Sequence, residues 1–281
     1  MNFTKMQGTG NDFLLIEVKG EERDWPALAR AMCDRHFGVG ADGILLVLPS
    51  GHADARMRMF NPDGSEAEMC GNGIRCFARY AVERGLVKPV QGRVSVETGA
   101  GVLTAQVSGE AGHVESVRVG MGVPRFAAAE VPVTVEMEPP VKDLRLTLED
   151  RALAVTCLSL GNPHAVHFHA RKVAEYPLEV VGPRVERHPL FPKRVNFEVA
   201  RVLGRELMEV RVWERGAGAT LACGSGACAA MVAAHLHHMV EDQVEVRLPG
   251  GSLTVEWDGG GEVHLTGPAE YVFEGRWPDD K

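Results

Sequence analysis

Two short stretches of the chain place a cysteine in the same setting. Residues 68–76 read EMCGNGIRC and residues 221–228 read LACGSGAC. In each, a cysteine (Cys70 or Cys223) precedes Gly-polar-Gly and a run typical of a helix. A thiol at a helix start meets unpaired N–H groups and the positive end of the helix dipole, which favour the thiolate. The pair predicts two opposed acid/base groups that remove a proton from one face of a carbon and return one to the other.

The residues that follow each cysteine predict an anion cradle. Glycine lets the backbone approach a ligand closely, and successive N–H groups can converge on a carboxylate. We expect the N–H groups of Gly71 and Asn72, and those of Gly224 and Ser225, to hold a substrate carboxylate between the thiols. Charge that moves into this carboxylate as the α-proton leaves would be stabilised by fixed dipoles, so no cofactor is required. One copy of the motif would equally suit a small buried thiol beside close-packed glycines, but two copies favour the paired bases.

The repetition extends beyond the cysteines. The pattern of residues 94–107 returns in residues 244–257, and Gly112-His-Val returns at 261–263. A period of about 150 residues is far longer than that of a solenoid repeat and indicates two homologous domains. We expect an N-terminal domain over residues 1–118, joined by the tail 268–281, and a C-terminal domain over residues 119–267.

Local patterns within each half predict the same fold. Residues 56–60 and 209–213 alternate as half-buried strands do. The first cysteine helix is expected over about 70–84, and its counterpart, 228–234, is apolar on every side and must be enclosed. The predicted class is α+β, with two pseudo-symmetric duplicated domains, each a strongly curved β-sheet or barrel around a central helix.

Composition excludes several classes of protein. The 281 residues carry a formal net charge of −8, which argues against a nucleic-acid or anionic-membrane surface. No apolar stretch approaches the length of a membrane span, and the start shows no secretion signal. We therefore expect a cytoplasmic protein whose six cysteines stay reduced, since a long chain without a secretion signal does not suit a disulfide framework. The cysteine spacings also lack the Cys-x2-Cys pattern of structural zinc sites.

Two other features resemble ligand sites but have simpler interpretations. Residues 38–43, GVGADG, match the dinucleotide spelling G-x-G-x-x-G, yet an apolar strand pattern follows where the helix should stand. His235, His237 and His238 lie where a helix should end, a common place for imidazoles, and no metal is predicted there. Cys33 and Cys157 lack the glycine frame and are expected to be buried packing residues.

With these motifs, the chain resembles the diaminopimelate epimerase family over nearly its whole length. The resemblance implies a cofactor-independent isomerase that interconverts LL- and meso-2,6-diaminopimelate in lysine and peptidoglycan precursor synthesis, and it implies a homodimer. The matching stretches, in family order, are residues 8–13, 37–43, 60–76, 161–164, 196–198 and 213–228.

The resemblance also implies residue roles. Cys70 and Cys223 would be the two acid/bases, and His164 and Glu214 would tune or orient the thiols. Arg offers a fork to a carboxylate, and Asn can both donate and accept, which suits the distal amino acid end of the substrate. The residues implied to hold that end are Asn11, Asn61, Asn162, Asn196, Glu214 and Arg215. The chain departs from many relatives at Gln7, Gly43 and Ala219, which puts secondary contacts in doubt.

Three alternatives remain open from the sequence. A proline racemase or hydroxyproline epimerase would also use two cysteines, but its cyclic substrate has little need of Arg215 and four asparagines. A non-epimerase branch of the same fold would lack the cysteines. A thiol-redox or metal-binding protein would be expected to show Cys-x2-Cys spacing.

Overall fold

The computed structural model describes residues 1–20, 23–110 and 112–278. The chain divides into two compact units, Met1–Gly120 with Thr266–Lys281, and Met121–Leu265. None of the helices in the described part of the chain is both long and apolar enough to cross a bilayer.

The first unit builds one mixed sheet and two helices. Its helices are α1 (Trp25–Cys33) and α2 (Gly71–Glu83). Its strands are β1 (Asn2–Gly8), β2 (Asn11–Glu17), β3 (Gly43–Leu48), β4 (Ala55–Phe60), β5 (Glu66–Ala67), β6 (Arg93–Thr98), β7 (Gly101–Ser108), β8 (Ser116–Gly120) and, from the end of the chain, β18 (Glu270–Arg276).

The sheet of the first unit encloses α2. The strand order is β18-β1-β2-β3-β4-β6-β7-β8, with the short β5 also paired to β4. The pairs β2–β3 and β4–β6 are parallel and the others antiparallel. Helix α2 contacts β1, β2, β3, β4, β7 and β8, which span the sheet, so the strands must curve around it. On another part of the sheet, α1 packs with an apolar cluster that includes Trp25, Met32 and Ile44.

The second unit has its own set of elements. Its helices are α3 (Leu178–Glu186) and α4 (Gly224–Leu236), with one 3-10 turn at Val173–Glu175. Its strands are β9 (Val141–Thr147), β10 (Ala152–Ser159), β11 (Pro163–Phe168), β12 (Asn196–Gly204), β13 (Leu207–Glu214), β14 (Gly218–Thr220), β15 (Gln243–Leu248) and β16 (Gly251–Glu256). Strand β17 (His264–Gly267) contains the point at which the chain passes from this unit back to the first.

The second unit repeats the pairing pattern of the first. Its order is β9-β10-β11-β12-β13-β15-β16, with β14 also paired to β13 and with β11–β12 and β13–β15 parallel. Helix α4 contacts most strands of this sheet, in the way that α2 contacts the strands of the first unit; they are β10, β11, β12, β13, β15 and β16. The predicted α+β class, with a central helix enclosed by a curved sheet in each duplicated half, is confirmed.

The helix bounds refine the sequence expectation. Helix α2 matches the predicted span closely, and α4 begins directly after Cys223, as its motif predicts, and extends beyond the apolar 228–234 segment to Leu236. Gly224, Ser225 and Gly226 are poor helix formers by propensity, but the cysteine before them caps the helix and the surrounding strands enclose it. Residues Ala227–Ala234 are all buried, as an entirely apolar helix requires.

Residues 38–43 follow a helix and precede a strand, whereas the glycine-rich turn of a dinucleotide-binding fold follows a strand and precedes a helix. Helix α1 precedes them, with Asp24 accepting at its start from Ala27 N–H (3.0 Å) and Pro26 in its first turn. Strand β3 follows directly from Gly43. The segment is therefore a turn that leads into a strand, as predicted.

Candidate active site

Cys70 is the N-cap residue of α2. Its backbone is extended (φ −144°, ψ 120°), and its Sγ accepts a hydrogen bond from Gly73 N–H at 3.5 Å. A cysteine thus occupies the position that Ser, Thr, Asp or Asn usually fills, and its sulfur faces the first-turn N–H groups. A Cβ at Gly73 would lie 3.4 Å from Cys70 Cβ and from Leu45, which is an ordinary van der Waals contact. The predicted placement of this thiol at a helix start is confirmed.

Asn11 and Asn72 lie beside this thiol. Asn11 Oδ1 accepts from Asn72 Nδ2 at 3.2 Å and lies 3.9 Å from Cys70 Sγ, too long for a strong hydrogen bond. Asn11 Nδ2 donates to Asp42 Oδ2 at 2.6 Å. Arg35 in turn donates to Asp42 Oδ1 at 2.7 Å, so an ion pair supports the asparagine that lies next to the sulfur.

Asn61 has a local role. Its Nδ2 donates to Ser65 Oγ at 3.0 Å, its N–H donates to Ser65 O at 2.9 Å, and its carbonyl accepts from Gly64 N–H at 2.9 Å. These bonds close the turn between β4 and β5. The predicted contact of Asn61 with substrate therefore stays a prediction.

Cys223 caps α4 in the same way. Its backbone is extended (φ −125°, ψ 115°), and its Sγ accepts from Gly226 N–H at 3.4 Å. Its sulfur also lies 3.5 Å from Ser225 Oγ. A Cβ at Gly226 would lie 3.0 Å from both Glu198 Oε1 and Val212 Cγ2, so only glycine fits without displacing these side chains.

The surroundings of Cys223 favour its protonated form although the thiol lies at a helix start. Burial raises the pKa of this thiol well above its usual value, and the charge of the Glu214 carboxylate raises it further. The hydrogen bonds from Ser225 and from Gly226 N–H act in the opposite direction but are outweighed. The thiol is only 7% exposed, whereas Cys70 is half-buried. A helix start stabilises a thiolate only where the loss of hydration is smaller than the gain from the N–H groups.

Three further predicted residues join Cys223 in a buried network. Asn162 Nδ2 donates to Ser225 Oγ at 3.1 Å, and Asn162 Oδ1 lies 2.9 Å from His164 Nε2. His164 Nδ1 lies 2.7 Å from Glu198 Oε1, and both side chains are fully buried. Strand β11, the turn before it and strand β12 supply these groups next to the start of α4.

Glu214 is the last residue of the neighbouring strand β13, and Arg215 follows it. Glu214 Oε1 accepts from Thr220 Oγ1 at 2.6 Å, and its charge contributes to the raised pKa of Cys223. The Arg215 side chain is exposed, and its Nη1 donates to Lys193 O at 3.2 Å. The exposed guanidinium is accessible to a ligand carboxylate.

Asn196 forms hydrogen bonds within the protein through both ends of its amide, and its predicted contact with substrate stays a prediction. Its Nδ2 donates to Pro163 O at 2.9 Å, and its Oδ1 accepts from Arg215 N–H at 2.8 Å. The side chain is 3% exposed. It fixes the backbone of Arg215 to the start of β11, which is a supporting role that sequence reasoning did not anticipate.

Glu198 is the functional candidate that sequence reasoning missed. It stands in the family-like stretch 196–198, but an acidic residue in a strand gives no local signal of burial. Burial raises the pKa of its carboxyl group, against the opposing influence of His164 and Ala165 N–H, with Glu214 adding a further rise. The only signal in the sequence was its place between apolar residues in a strand that must be buried.

The departures from the family pattern have local explanations at two positions. Gln7 Oε1 accepts from Gly10 N–H at 2.7 Å and its Nε2 donates to Glu270 at 2.8 Å, so it closes the β1–β2 turn. A Cβ at Gly43 would lie 2.9 Å from Phe60 O. Ala219 is exposed on β14, and nothing in the structure explains it.

Three other cysteines and two of the histidines at the end of α4 have local structural partners or are buried. Burial raises the pKa of Cys33, Cys76 and Cys157 to about 12, which makes them inert packing thiols. His235 Nε2 lies 2.9 Å from Asp242, and His237 Nε2 lies 2.8 Å from Thr156 Oγ1. Within the described residues no three His, Cys, Asp or Glu side chains are grouped so as to hold a metal ion.

Solved structures of low sequence identity share this fold. A probable proline racemase from Agrobacterium radiobacter matches with a TM-score of 0.73 at 17% identity, over 99% of this chain and 93% of that one. A hydroxyproline epimerase from Agrobacterium vitis matches with a TM-score of 0.71 at 18% identity, over 98% of this chain and 91% of that one. At these identities the similarity shows the fold alone.

Closer relatives define the family. A diaminopimelate epimerase of Pelotomaculum thermopropionicum is 50% identical over 99% of both chains. Another, from Desulfitobacterium hafniense, is 49% identical over 98% of this chain and 97% of its own. The family model for diaminopimelate epimerase matches residues 3–127 and 156–272. With the two capped cysteine helices in place, these matches show that the chain belongs to the diaminopimelate epimerase family.

Proposed function

We propose that this protein is a cofactor-independent isomerase that interconverts LL- and meso-2,6-diaminopimelate, a step in making lysine and peptidoglycan precursors. The observation that carries the proposal is the equivalent placement of Cys70 and Cys223, each as the N-cap of the central helix of its unit. Two relatives whose sequences are 50% and 49% identical to this chain over almost their whole length are both diaminopimelate epimerases.

The reaction is proposed to use the two thiols in opposite protonation states. One thiolate takes the α-proton, the electron pair moves into the substrate carboxylate, and the other thiol gives its proton to the opposite face of the carbon. The N–H groups of Gly71, Asn72, Gly224 and Ser225 are proposed to hold the carboxylate while its charge increases. The roles of the thiols reverse for the return reaction.

Cys223 is proposed to be the thiol in the resting enzyme. Burial and the nearby charge of Glu214 favour its protonated form, whereas Cys70 is less buried. Cys70 is then the resting thiolate. His164 and Glu214 are proposed to orient and tune Cys223, since one belongs to its hydrogen-bonded network and the other carries the nearby charge.

The distal amino acid group of the substrate is proposed to meet Asn11, Asn61, Asn162, Glu214 and Arg215. Arg215 supplies an exposed guanidinium for the distal carboxylate. Asn196 is proposed to act indirectly, by holding the backbone of Arg215.

We also propose a cytoplasmic homodimer, as the resembled family implies. Sedimentation equilibrium at micromolar protein should give twice the 30.4 kDa chain mass. A mass of one chain at all concentrations would exclude the dimer without affecting the reaction.

Deuterium exchange tests the substrate choice. In deuterated buffer the purified protein should place deuterium at the α-carbon of LL-diaminopimelate and yield the meso isomer. L-proline and trans-4-hydroxy-L-proline serve as cyclic comparisons. Faster exchange into either of these would replace the proposed substrate class, and exchange into none would remove the epimerase function.

A further inference from the structure

A continuous chain of side chains connects Glu198 to the Cys223 sulfur. Glu198 Oε1 lies 2.7 Å from His164 Nδ1, and His164 Nε2 lies 2.9 Å from Asn162 Oδ1. Asn162 Nδ2 donates to Ser225 Oγ at 3.1 Å, and Ser225 Oγ lies 3.5 Å from Cys223 Sγ. His164 and Glu198 are fully buried, so solvent does not compete for the bond that joins them.

The orientation of the Asn162 amide determines the protons in this chain. Its Nδ2 faces Ser225, so its Oδ1 faces His164 Nε2, which must carry a hydrogen to make that bond. Ser225 Oγ accepts from Asn162 and therefore has its own hydrogen available for Cys223 Sγ. The bond between His164 Nδ1 and Glu198 Oε1 needs one more proton, on either atom.

Several observations favour Glu198 as the residue that carries this proton. Glu198 Oε2 is buried and has no hydrogen-bond partner within residues 1–20, 23–110 and 112–278, a costly state for an ionised oxygen. Burial raises the pKa of this carboxyl group, and the Glu214 charge raises it further. Charged or titratable groups that act on the carboxyl group are His164 on β11 and Glu214 on β13, and it acts in turn on the thiols of Cys157 and Cys223.

We propose that Glu198 is a positioning residue for Cys223: as a neutral carboxylic acid it donates its proton to His164 Nδ1 and fixes the His164 ring with its hydrogen on Nε2. The ring then holds Asn162, Asn162 holds Ser225, and the Ser225 hydroxyl points at the sulfur. The inference rests on the proposed role of Cys223 as an acid/base.

Two consequences for Cys223 follow. The Ser225 O–H stabilises the sulfur when it becomes a thiolate after protonating the substrate. Because Glu198 is neutral, it does not add a second negative charge next to that thiolate, which already lies near the charge of Glu214. Glu198 thereby lowers the cost of forming the Cys223 thiolate without touching the substrate.

Nitrogen NMR of the unmodified protein tests the protonation state directly. With 15N-labelled histidine at neutral pH, and with His164 signals assigned by comparison with His164→Gln, we expect a hydrogen on Nε2 and none on Nδ1. Hydrogens on both nitrogens would place the proton on the imidazole and overturn the proposal. A hydrogen on Nδ1 alone would overturn it as well, because Glu198 would then be an acceptor.

Two substitutions at the same position test the function of the bond. Glu198→Gln keeps an N–H donor for His164 Nδ1 and should keep kcat within about 3-fold of the unmodified enzyme. Glu198→Leu removes the donor and should lower kcat about 10- to 100-fold with little change in KM. Glu209→Gln, on a partly exposed side chain paired with Arg201, is the matched control and should leave both constants unchanged.

The outcomes separate this inference from the proposed function. A large loss of kcat in Glu198→Gln would contradict a donor role, as would full activity in a folded Glu198→Leu protein. Thermal unfolding identifies a variant that fails to fold, and the NMR result on the unmodified protein then decides alone. An unmodified protein that shows the Nε2–H ring but no exchange into diaminopimelate would refute the function and leave the hydrogen-bonded chain standing.

Discussion

The starts of α2 and α4 share one local geometry but have different surroundings. In both, a cysteine caps the helix and accepts from the glycine N–H three residues later, at 3.5 Å and 3.4 Å. Asn11 lies beside Cys70 and is supported by the Asp42–Arg35 ion pair, and Cys70 is half-buried. The hydrogen-bonded network next to Cys223 contains the fully buried pair of His164 and Glu198. The duplicated motif therefore determines the placement of each thiol, while the residues around each thiol determine its pKa.

The two helices also differ five residues after each cysteine. In α2 this position holds the fully buried Arg75, whose guanidinium donates to Gly71 O, Pro268 O and Thr9 Oγ1. In α4 it holds the buried Cys228. The helix of Cys70 thus contains a buried cation, and the surroundings of Cys223 contain carboxyl groups instead. This difference is what gives one thiol and one thiolate in the proposed resting enzyme.

Removing either thiol should have the largest effect. Cys70→Ser and Cys223→Ser should each lower kcat for LL-diaminopimelate by at least about 100-fold, because a hydroxyl is a far weaker base near neutral pH. Steady-state kinetics in both directions measures this. Cys33→Ser, a buried thiol outside both motifs, is the control. Near-normal turnover in either site variant would remove that cysteine from the chemistry.

The second prediction concerns the order of ionisation. The pKa of Cys223 is raised, so its thiolate population should increase only at a pH above that of an ordinary thiol. At pH 7, Cys70 in the Cys223→Ser protein should react with iodoacetamide at least about 10-fold faster than Cys223 in the Cys70→Ser protein. Mass spectrometry after timed quenching follows each site. Equal rates, or the reverse order, would contradict the asymmetry.

The third prediction concerns Arg75. Arg75→Met leaves three acceptors without their donor, two of them buried, and should lower the free energy of unfolding by about 2–4 kcal/mol. The same change should slow alkylation of Cys70 at pH 7, since a nearby positive charge favours the thiolate. Urea unfolding and alkylation are measured on one sample. The matched change Cys228→Ala should alter the reactivity of Cys70 little.

A smaller effect compares the two capping glycines. A Cβ at position 226 would lie 3.0 Å from Glu198 Oε1 and Val212, whereas at position 73 the nearest atoms are 3.4 Å away. Gly226→Ala should therefore destabilise the protein by about 1–3 kcal/mol, while Gly73→Ala should change stability by less than about 1 kcal/mol, because alanine favours the helix. Denaturant titration compares them directly. An equal cost at both positions would mean that the second helix start is not the tighter one.

The sequence predicted the features that local patterns encode. The cysteine pair, the central helices, the duplicated halves and the turn at 38–43 follow from spacing and periodicity. The start of α4 directly after Cys223 also agrees with the motif, although Gly-Ser-Gly is a poor helix former by propensity. The sequence left open which thiol is protonated and did not indicate Glu198, because the groups around Cys223 come from strands β11, β12 and β13, outside its local motif. Burial depends on long-range packing, which one local pattern does not show.

The most direct test of the paired-base account is the origin of the proton in the first product formed. LL-diaminopimelate with ordinary hydrogen at its α-carbons is mixed with the enzyme in deuterated buffer, and the reaction is stopped at early conversion. Two thiols on opposite faces predict meso product with deuterium at the inverted carbon, alongside substrate that still carries hydrogen. Meso product that retains the substrate's own hydrogen at that carbon would mean that one base serves both faces, and it would contradict the account.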